Sequence, residues 1–440
     1  MSVARLRREL LLEFVPEGPD RARREHALAL ADAALAAVEP RAATVRALAA
    51  LEGELDLSLT GCRVLAFGKA ARAMAAAACA CLRPTDGLVL THADGDDDAL
   101  APLRVRRAAH PLPAADALAH ADEARALMRS ARAGDVVLCL VSGGGSSMLE
   151  RPVDGVSLDD LARLTQRLMR AGATIEALNA VRTALSTVKG GRLLAEARDG
   201  VRVVNVVLAD VPGGALSTVA AGPTVPRADL LLDASSVVRH LAVDANVDAR
   251  LLAAITAGAA REAPLVRAQV HTRVAADDVT AREAVVAVGR SRGLRIGVLP
   301  RRLAGEAHED GPRFAAEARA LARENALDGV VATGETTVTV RGNGRGGRNQ
   351  EFALGALVEV AAWGELLLAL ATDGEDGTSG SAGALVDPLV GAEHSRSTRE
   401  RFVRAALVTN DSARFCAAHR CALETGPTGT NVADLALWLR

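Results

Sequence analysis

Short apolar runs recur along this chain, each closing on Gly, Ser or Asp and followed by residues with helical spacing. Such runs are too short for buried helices but suit strands covered on both faces. Arg63 to Phe67 leads into Gly68-Lys69 and an alanine-rich helix to Leu82, which reads as strand, tight turn, helix. Gly87 to His92 predicts a second strand, followed by an acidic loop from Asp94 to Asp98. A helix over Asp116 to Arg132 precedes a buried strand, Asp135 to Val141, that ends in Ser142-Gly143-Gly144-Gly145-Ser146-Ser147. Helices are expected over 157–171 and 175–187, then a strand from Val201 to Leu208 closing on Ala209-Asp210. Upstream, residues 20–51 read as one helix after the Pro16-Glu17-Gly18-Pro19 turn. Strands alternating with helices predict a parallel α/β sheet.

The pattern loosens over 226–250 and then restarts, which places a domain boundary near 240/241. Beyond it come a helix over 280–292, a strand Leu294 to Leu299, a helix over 311–325 and a strand Gly329 to Ala332. A strand Thr336 to Val340, a helix Gln350 to Ala362, a strand Glu365 to Ala371 and a helix Ser395 to Leu407 follow. The expected architecture is two α/β domains with a cleft between them. Residues 1–240 form a Rossmann-like parallel sheet with helices on both faces, and 241–440 form a mixed α/β domain. Glycine-rich strand ends in such folds predict a ligand site at that cleft.

Composition narrows the class of partner. With 440 residues and a net charge of −2, the chain has no global charge that would draw it to nucleic acid or an anionic membrane. No run of 18 apolar residues occurs, so a transmembrane span is excluded. Met1 to Phe14 mixes arginines with glutamates and has no signal-like apolar core. Six cysteines without a C-x-x-C pair suggest neither a disulfide framework nor a zinc site. A cytoplasmic protein is expected, and a homodimer is carried as its expected assembly.

Cation usage is lopsided. Of 52 basic residues, only Lys69 and Lys189 are lysines. A position that stays Lys against that bias suits a compact ammonium rather than a planar guanidinium, and both sit among glycines. The Ser142–Ser147 loop frees backbone amides to converge on an anion, although tight turns also need glycine. Residues 334–351 are denser: Gly342, Gly344 and Gly347 form G-x-G-x-x-G, with Arg345 and Arg348 in and after the loop. That pattern fits a dinucleotide fingerprint, or guanidinium forks for a carboxylate or phosphate. Asp373, Glu375 and Asp376 form either a magnesium-type oxygen loop or a solvated acidic turn. Asp210 is a candidate metal ligand or general base. The sum is a site for an anionic substrate and phosphates, with a lone Lys and a divalent ion.

In order along residues 64 to 435 stand FGKAARAM (67–74), HPLP (110–113), VSGGGSSML (141–149), GATIEALNAVRTALSTVKGGRLL (172–194) and ADVPGGALSTVAAGPTV (209–225). GETTVTVRGNGRGGRNQEFAL (334–354), ATDGEDG (371–377) and TGPTGTNVADL (425–435) follow. Taken together, these segments resemble the glycerate 2-kinase family, whose C-terminal half is the MOFRL domain. The resemblance implies ATP- and Mg²⁺-dependent phosphorylation of D-glycerate to 2-phosphoglycerate. It implies that Lys69 and Arg345 hold substrate and phosphate, with Lys189 and Asp210 also catalytic. Ser142, Gly143, Gly144, Gly145, Ser146, Gly344, Gly346, Gly347, Arg348, Asn349 and Glu351 are implied for binding, and Asp210 and Asp373 for the metal. The glycerate carboxylate would pair with Arg345 or Arg348. The chain departs from the family pattern at Ala209, Ala221, Gly214 and Gly380, the last two replacing carboxylates. Two alternatives stand beside this reading: an NAD(P)-dependent hydroxypyruvate reductase, from the G-x-G-x-x-G, and an altered homologue binding another small hydroxy acid, from the missing carboxylates.

Overall fold

Strands form where the apolar runs lie: β1 (Arg63–Phe67), β2 (Asp86–Thr91), β3 (Arg104–Arg107), β4 (Val136–Ser142), β5 (Arg202–Leu208) and β6 (Gln269–Ala276). They make one sheet of order β3-β2-β1-β4-β5-β6, in which β1 to β5 pair in parallel. Register sets Phe67 opposite Leu90 and Val141, and Ser142 opposite Leu208. The C-terminal ends of β1, β4 and β5 therefore emerge side by side. Helix Ala71–Leu82 turns Ala71, Met74, Ala75, Ala77, Ala78 and Leu82 inward, and these mostly small side chains let it lie close to the sheet. Helix Asp116–Ser130 closes a core with Leu65, Leu88, Leu90 and Val137.

The computed structural model describes the chain except residues 1–5, 56–57, 111, 212, 214–215, 227–232, 242–246, 262 and 264. It divides into two units, one of Pro40–Ala275 and one joining Met1–Glu39 to Ala276–Arg440. This differs from the expected split at 240/241 for two physical reasons. Beyond 240, Gln269 N donates to Val201 O at 3.0 Å, and Leu251 and Ile255 pack with Leu178 and Val181, so this stretch stays with the first sheet. At the other end, Arg24 in helix Pro19–Ala37 forks onto Asp387, with Nε–Oδ2 at 2.6 Å and Nη2–Oδ1 at 2.8 Å, both side chains buried. The single helix expected over 20–51 is correspondingly two, Pro19–Ala37 and Pro40–Leu55. Pro40 has no amide hydrogen and disfavours helical backbone before it.

The second unit holds β7 (Ile296–Val298), β8 (Gly329–Gly334), β9 (Leu366–Ala371), β10 (Gly383–Val386), β11 (Ala422–Leu423) and β12 (Asp434–Leu439). Their order is β11-β10-β9-β12-β8-β7, parallel only between β7 and β8, so the sheet is mixed as expected. Helices Ala307–Asn325 and Arg348–Trp363 pack closely because Gly311 and Gly355 face backbone of the opposite helix, where a Cβ would collide. The strand expected at Thr336–Val340 does not form. Thr337 makes one isolated bridge to Glu306, and Val340 is exposed.

Helix Leu158–Arg170 begins with a capping box, in which Ser157 Oγ accepts from Asp160 N at 3.0 Å. Asp160 Oδ2 accepts in turn from Ser157 N at 3.0 Å and from Ser157 Oγ at 2.7 Å. These bonds, helped by Arg250, hold the Asp160 carboxyl at about 2, below its ordinary 3.8. Because the folded value is depressed, the stabilisation is present above the unfolded value and is lost as pH falls toward 2. Asp160→Asn should therefore melt lower than wild type at pH 7, the difference shrinking between pH 4 and pH 2. Ser157→Ala should cost about 1 kcal/mol. Thermal melts across that pH range check both.

Candidate active site

Adjacent strand ends build the first cluster. Gly68 (φ +119) leaves β1 beside β4, and a side chain on it would meet Ser142. The turn is locked by Lys69 N donating to Gly143 O at 2.8 Å and Ala70 N donating to Ser142 Oγ at 3.0 Å. Gly143 abuts the Asp210 carboxylate at the end of β5, where a Cβ would overlap it. A Cβ on Gly144 (φ +81) would sit 3.1 Å from Lys69 Cγ and 3.0 Å from His110 Nε2. Among the described residues, the amides of Gly143 and Gly144 have no acceptor, and the buried Ser146 Oγ has no hydrogen-bond partner. Open amides and an orphaned hydroxyl beside an ammonium suit an anion.

The two lysines have different roles. Among the described residues, nothing accepts from Lys69 Nζ, and its side chain is half-buried beside the loop. Lys189 is fully buried and gives its ammonium to Glu150 Oε2 at 2.6 Å, Ser146 O at 2.7 Å and Leu149 O at 3.2 Å. With three donors and three acceptors, it has nothing left for a reacting group. Burial pulls it down to about 8, against the opposing pull of Glu150. The expected catalytic role of Lys189 is thus corrected to positioning the 146–150 segment.

His110 and Arg182 belong with Lys69, although residue chemistry alone does not single them out. Burial and the charges of Lys69, His92 and Arg182 hold His110 at about 4. Arg182 Nη2 donates to Ser146 O at 3.4 Å, and its Nε is buried without a partner. The signals were present, since His110 opens HPLP and Arg182 sits inside the 172–194 segment.

In the other unit the glycine loop is packed rather than open. Side chains on Gly342, Gly344, Gly346 and Gly347 would run into Thr409, Asp411, Ser412 and Asp376. Asn410 Oδ1 accepts from Arg341 N at 2.7 Å and Gly342 N at 2.9 Å, pinning the loop. At the N-terminus of helix Arg348–Trp363, Asp376 accepts from Asn349 N and Gln350 N, each at 2.9 Å. A protein carboxylate thus fills the place a dinucleotide phosphate would take, and no strand leads into the glycines. The dinucleotide fingerprint loses both its premises.

The paired arginines divide as the lysines do. Arg348 forks onto buried Asp434 at 2.5 and 3.0 Å and reaches Glu335 at 2.7 Å, so it is a structural clamp. Arg345 is exposed, and among the described residues its only side-chain bond is Nε to Thr378 O at 3.2 Å. Asn349 and Glu351 are buried braces: Asn349 Nδ2 donates to Asp376 at 3.3 Å, and Glu351 Oε1 accepts from Asn410 at 3.0 Å. Asp373 is half-buried, with one oxygen accepting from Glu375 N at 3.0 Å. Gly214 lies outside the described residues. Gly380 lies near Arg345, whose Nη2 is 3.7 Å from where a Cβ would stand.

Residues 26–256 match a family described as a domain of unknown function (DUF4147), and residues 329–434 match the MOFRL family. The chain is 33% identical over 394 residues to the D-glycerate 2-kinase of Thermotoga maritima, covering 87% of this chain and 91% of that protein. It is 32% identical over 431 residues to the glycerate 2-kinase of Pyrococcus horikoshii, covering 94% and 96%. The crystal structure of glycerate kinase from Thermotoga maritima matches with a TM-score of 0.81 at 32% identity, covering 96% of this chain and all of that one.

Two measurements probe this cluster. His110 should titrate near pH 4 by histidine NMR in the free chain, and should move upward in Lys69→Ala, which removes a neighbouring positive charge. Lys189→Met should destabilise the fold by about 3–5 kcal/mol in urea melts, because Glu150 is left buried and unpaired.

Proposed function

The chain belongs to the glycerate kinase family, and we propose that it transfers the γ-phosphoryl group of ATP to the 2-hydroxyl of D-glycerate. The products are 2-phosphoglycerate and ADP. The observation that carries this reading is the division of the cations: among the described residues Lys69 Nζ has no acceptor and Arg345 makes one side-chain bond, while Lys189 and Arg348 are committed to Glu150 and Asp434. Phosphoryl transfer spreads charge over the equatorial oxygens of a loose transition state, so preorganised donors supply most of the catalysis. Lys69 and the amides of Gly143 and Gly144 are assigned to those oxygens.

Arg345 is assigned to the glycerate carboxylate, for which a planar guanidinium fork is well matched. Glycine at 380 means that no carboxylate from that position competes for it. Asp210, held against the glycine loop, offers the hard oxygen donors that magnesium prefers, and is assigned to hold it. Magnesium held there would supply positive charge to offset that of the phosphates. His110 stays neutral above about pH 4 and can hydrogen-bond at the loop without adding charge.

Purified protein with Mg-ATP should release ADP on addition of D-glycerate and stay at background with L-glycerate, and phosphorus NMR should identify the 2-phospho product. Lys69→Ala should lower kcat by about 100- to 1000-fold, the usual scale for losing one transition-state donor, with ATP affinity little changed. Arg345→Ala should chiefly raise KM for glycerate, whereas Arg348→Ala should lower the melting temperature. Wild-type kinetics in Lys69→Ala would sink the assignment.

A further inference from the structure

A second cluster lies outside the residues assigned to phosphoryl transfer. Glu393 and His394 precede helix Arg396–Val408, and His419 ends helix Ser412–Ala418. One ligand atom from each lies within 4.8 Å of the other two. Glu393 Oε1 stands 3.2 Å from His419 Nδ1 and 3.4 Å from His394 Nε2. Around tetrahedral zinc, with bonds of about 2.0–2.1 Å, neighbouring donor atoms are about 3.3 Å apart. Two imidazoles and one carboxylate are also a donor set that zinc takes with water in the fourth place.

Packing fixes the imidazoles. His394 meets Phe402 edge-on at 5.0 Å, His419 tilts onto Phe415 at 4.4 Å, and the two imidazole planes cross at 87°. Their directions are therefore set before any ion arrives. The Glu393 side chain is 59% exposed and that of His419 only 11%, so the cluster is anchored on one side and open to solvent on the other. The neighbouring cation, Arg399, is turned to the carbonyl of Gly391 at 3.3 Å.

The geometry points to a site for one divalent ion of the zinc class, held by Glu393 Oε1, His394 Nε2 and His419 Nδ1 with water completing the tetrahedron. The ion clips the ends of two helices together and takes no part in phosphoryl transfer.

The full chain, stripped of metal with a chelator, is titrated with Co(II) followed by visible absorption, then with Zn(II) by calorimetry. One ion should bind per chain, with the intense visible band of four-coordinate cobalt and without the near-ultraviolet band that cysteine ligands would add. Zn(II) should displace Co(II) and raise the melting temperature. Glu393→Gln, an exposed change that leaves the fold intact, should weaken affinity at least about tenfold, since even groups that only support a ligand are worth about 10- to 100-fold. His394→Gln should do the same. His308→Gln, in the separate Glu306–His308–Glu351 grouping, should leave binding unchanged. Absence of one-to-one uptake, affinity that survives both ligand variants, or loss of binding in His308→Gln would each overturn the site.

Discussion

One hydroxyl and one carbonyl at the end of β4 hold the first cluster in place. Ser142 Oγ takes the amide of Ala70 and Gly143 O takes the amide of Lys69, so two neighbouring strand ends are knitted through their backbones. Lys69 is thereby aimed without spending its ammonium on a described residue, and the two glycine amides beside it have no acceptor among the described residues. The close approach of Gly68 to Ser142 and of Gly143 to Asp210 explains why side chains are missing at those positions. Glycine serves the crossing of chains here as much as the binding of a ligand.

Electrostatics complete the division of labour. A buried ammonium is tolerable only with a counter-charge and filled donors, and Glu150 with two carbonyls meets that need for Lys189. Asp434 does the same for Arg348, although burial raises the Asp434 carboxyl to about 6 against the pull of that arginine. Asp376 neutralises the amides at the start of helix Arg348–Trp363. Of Lys69, Lys189, Arg345 and Arg348, the proposed chemistry uses the two that have few or no partners among the described residues.

Much of the first sheet was legible because β1 and β4 carry continuous apolar runs and β5 is interrupted only by Asn205, the pattern of strands buried on both faces. β3 was not, since Arg104-Val105-Arg106-Arg107 is a charged edge strand with no apolar signature. β12 was hidden because its first residues belong to a segment that reads as a polar turn. Thr336 to Val340 misled in the other direction: β-branched alternation fits a strand, but no partner completes a ladder there. Candidate cations were readable as residue types, whereas their internal partners lie up to 86 positions away in sequence. Pro40 was the one local mark of both the helix break and the unit boundary.

The unit spanning Pro40–Ala275 interrupts the other one, and this shapes synthesis on the ribosome. Helix Pro19–Ala37 emerges early, carrying Leu28, Leu30 and Ala31 that end up fully buried. Apart from the short segment just before it, its partners, among them Asp387, are translated only after the whole inserted unit. At about 5–20 residues per second the helix waits about 12–50 s for the first of them. The inserted unit, contiguous in sequence, can complete its sheet during that interval, so the nascent chain matures from its middle outward.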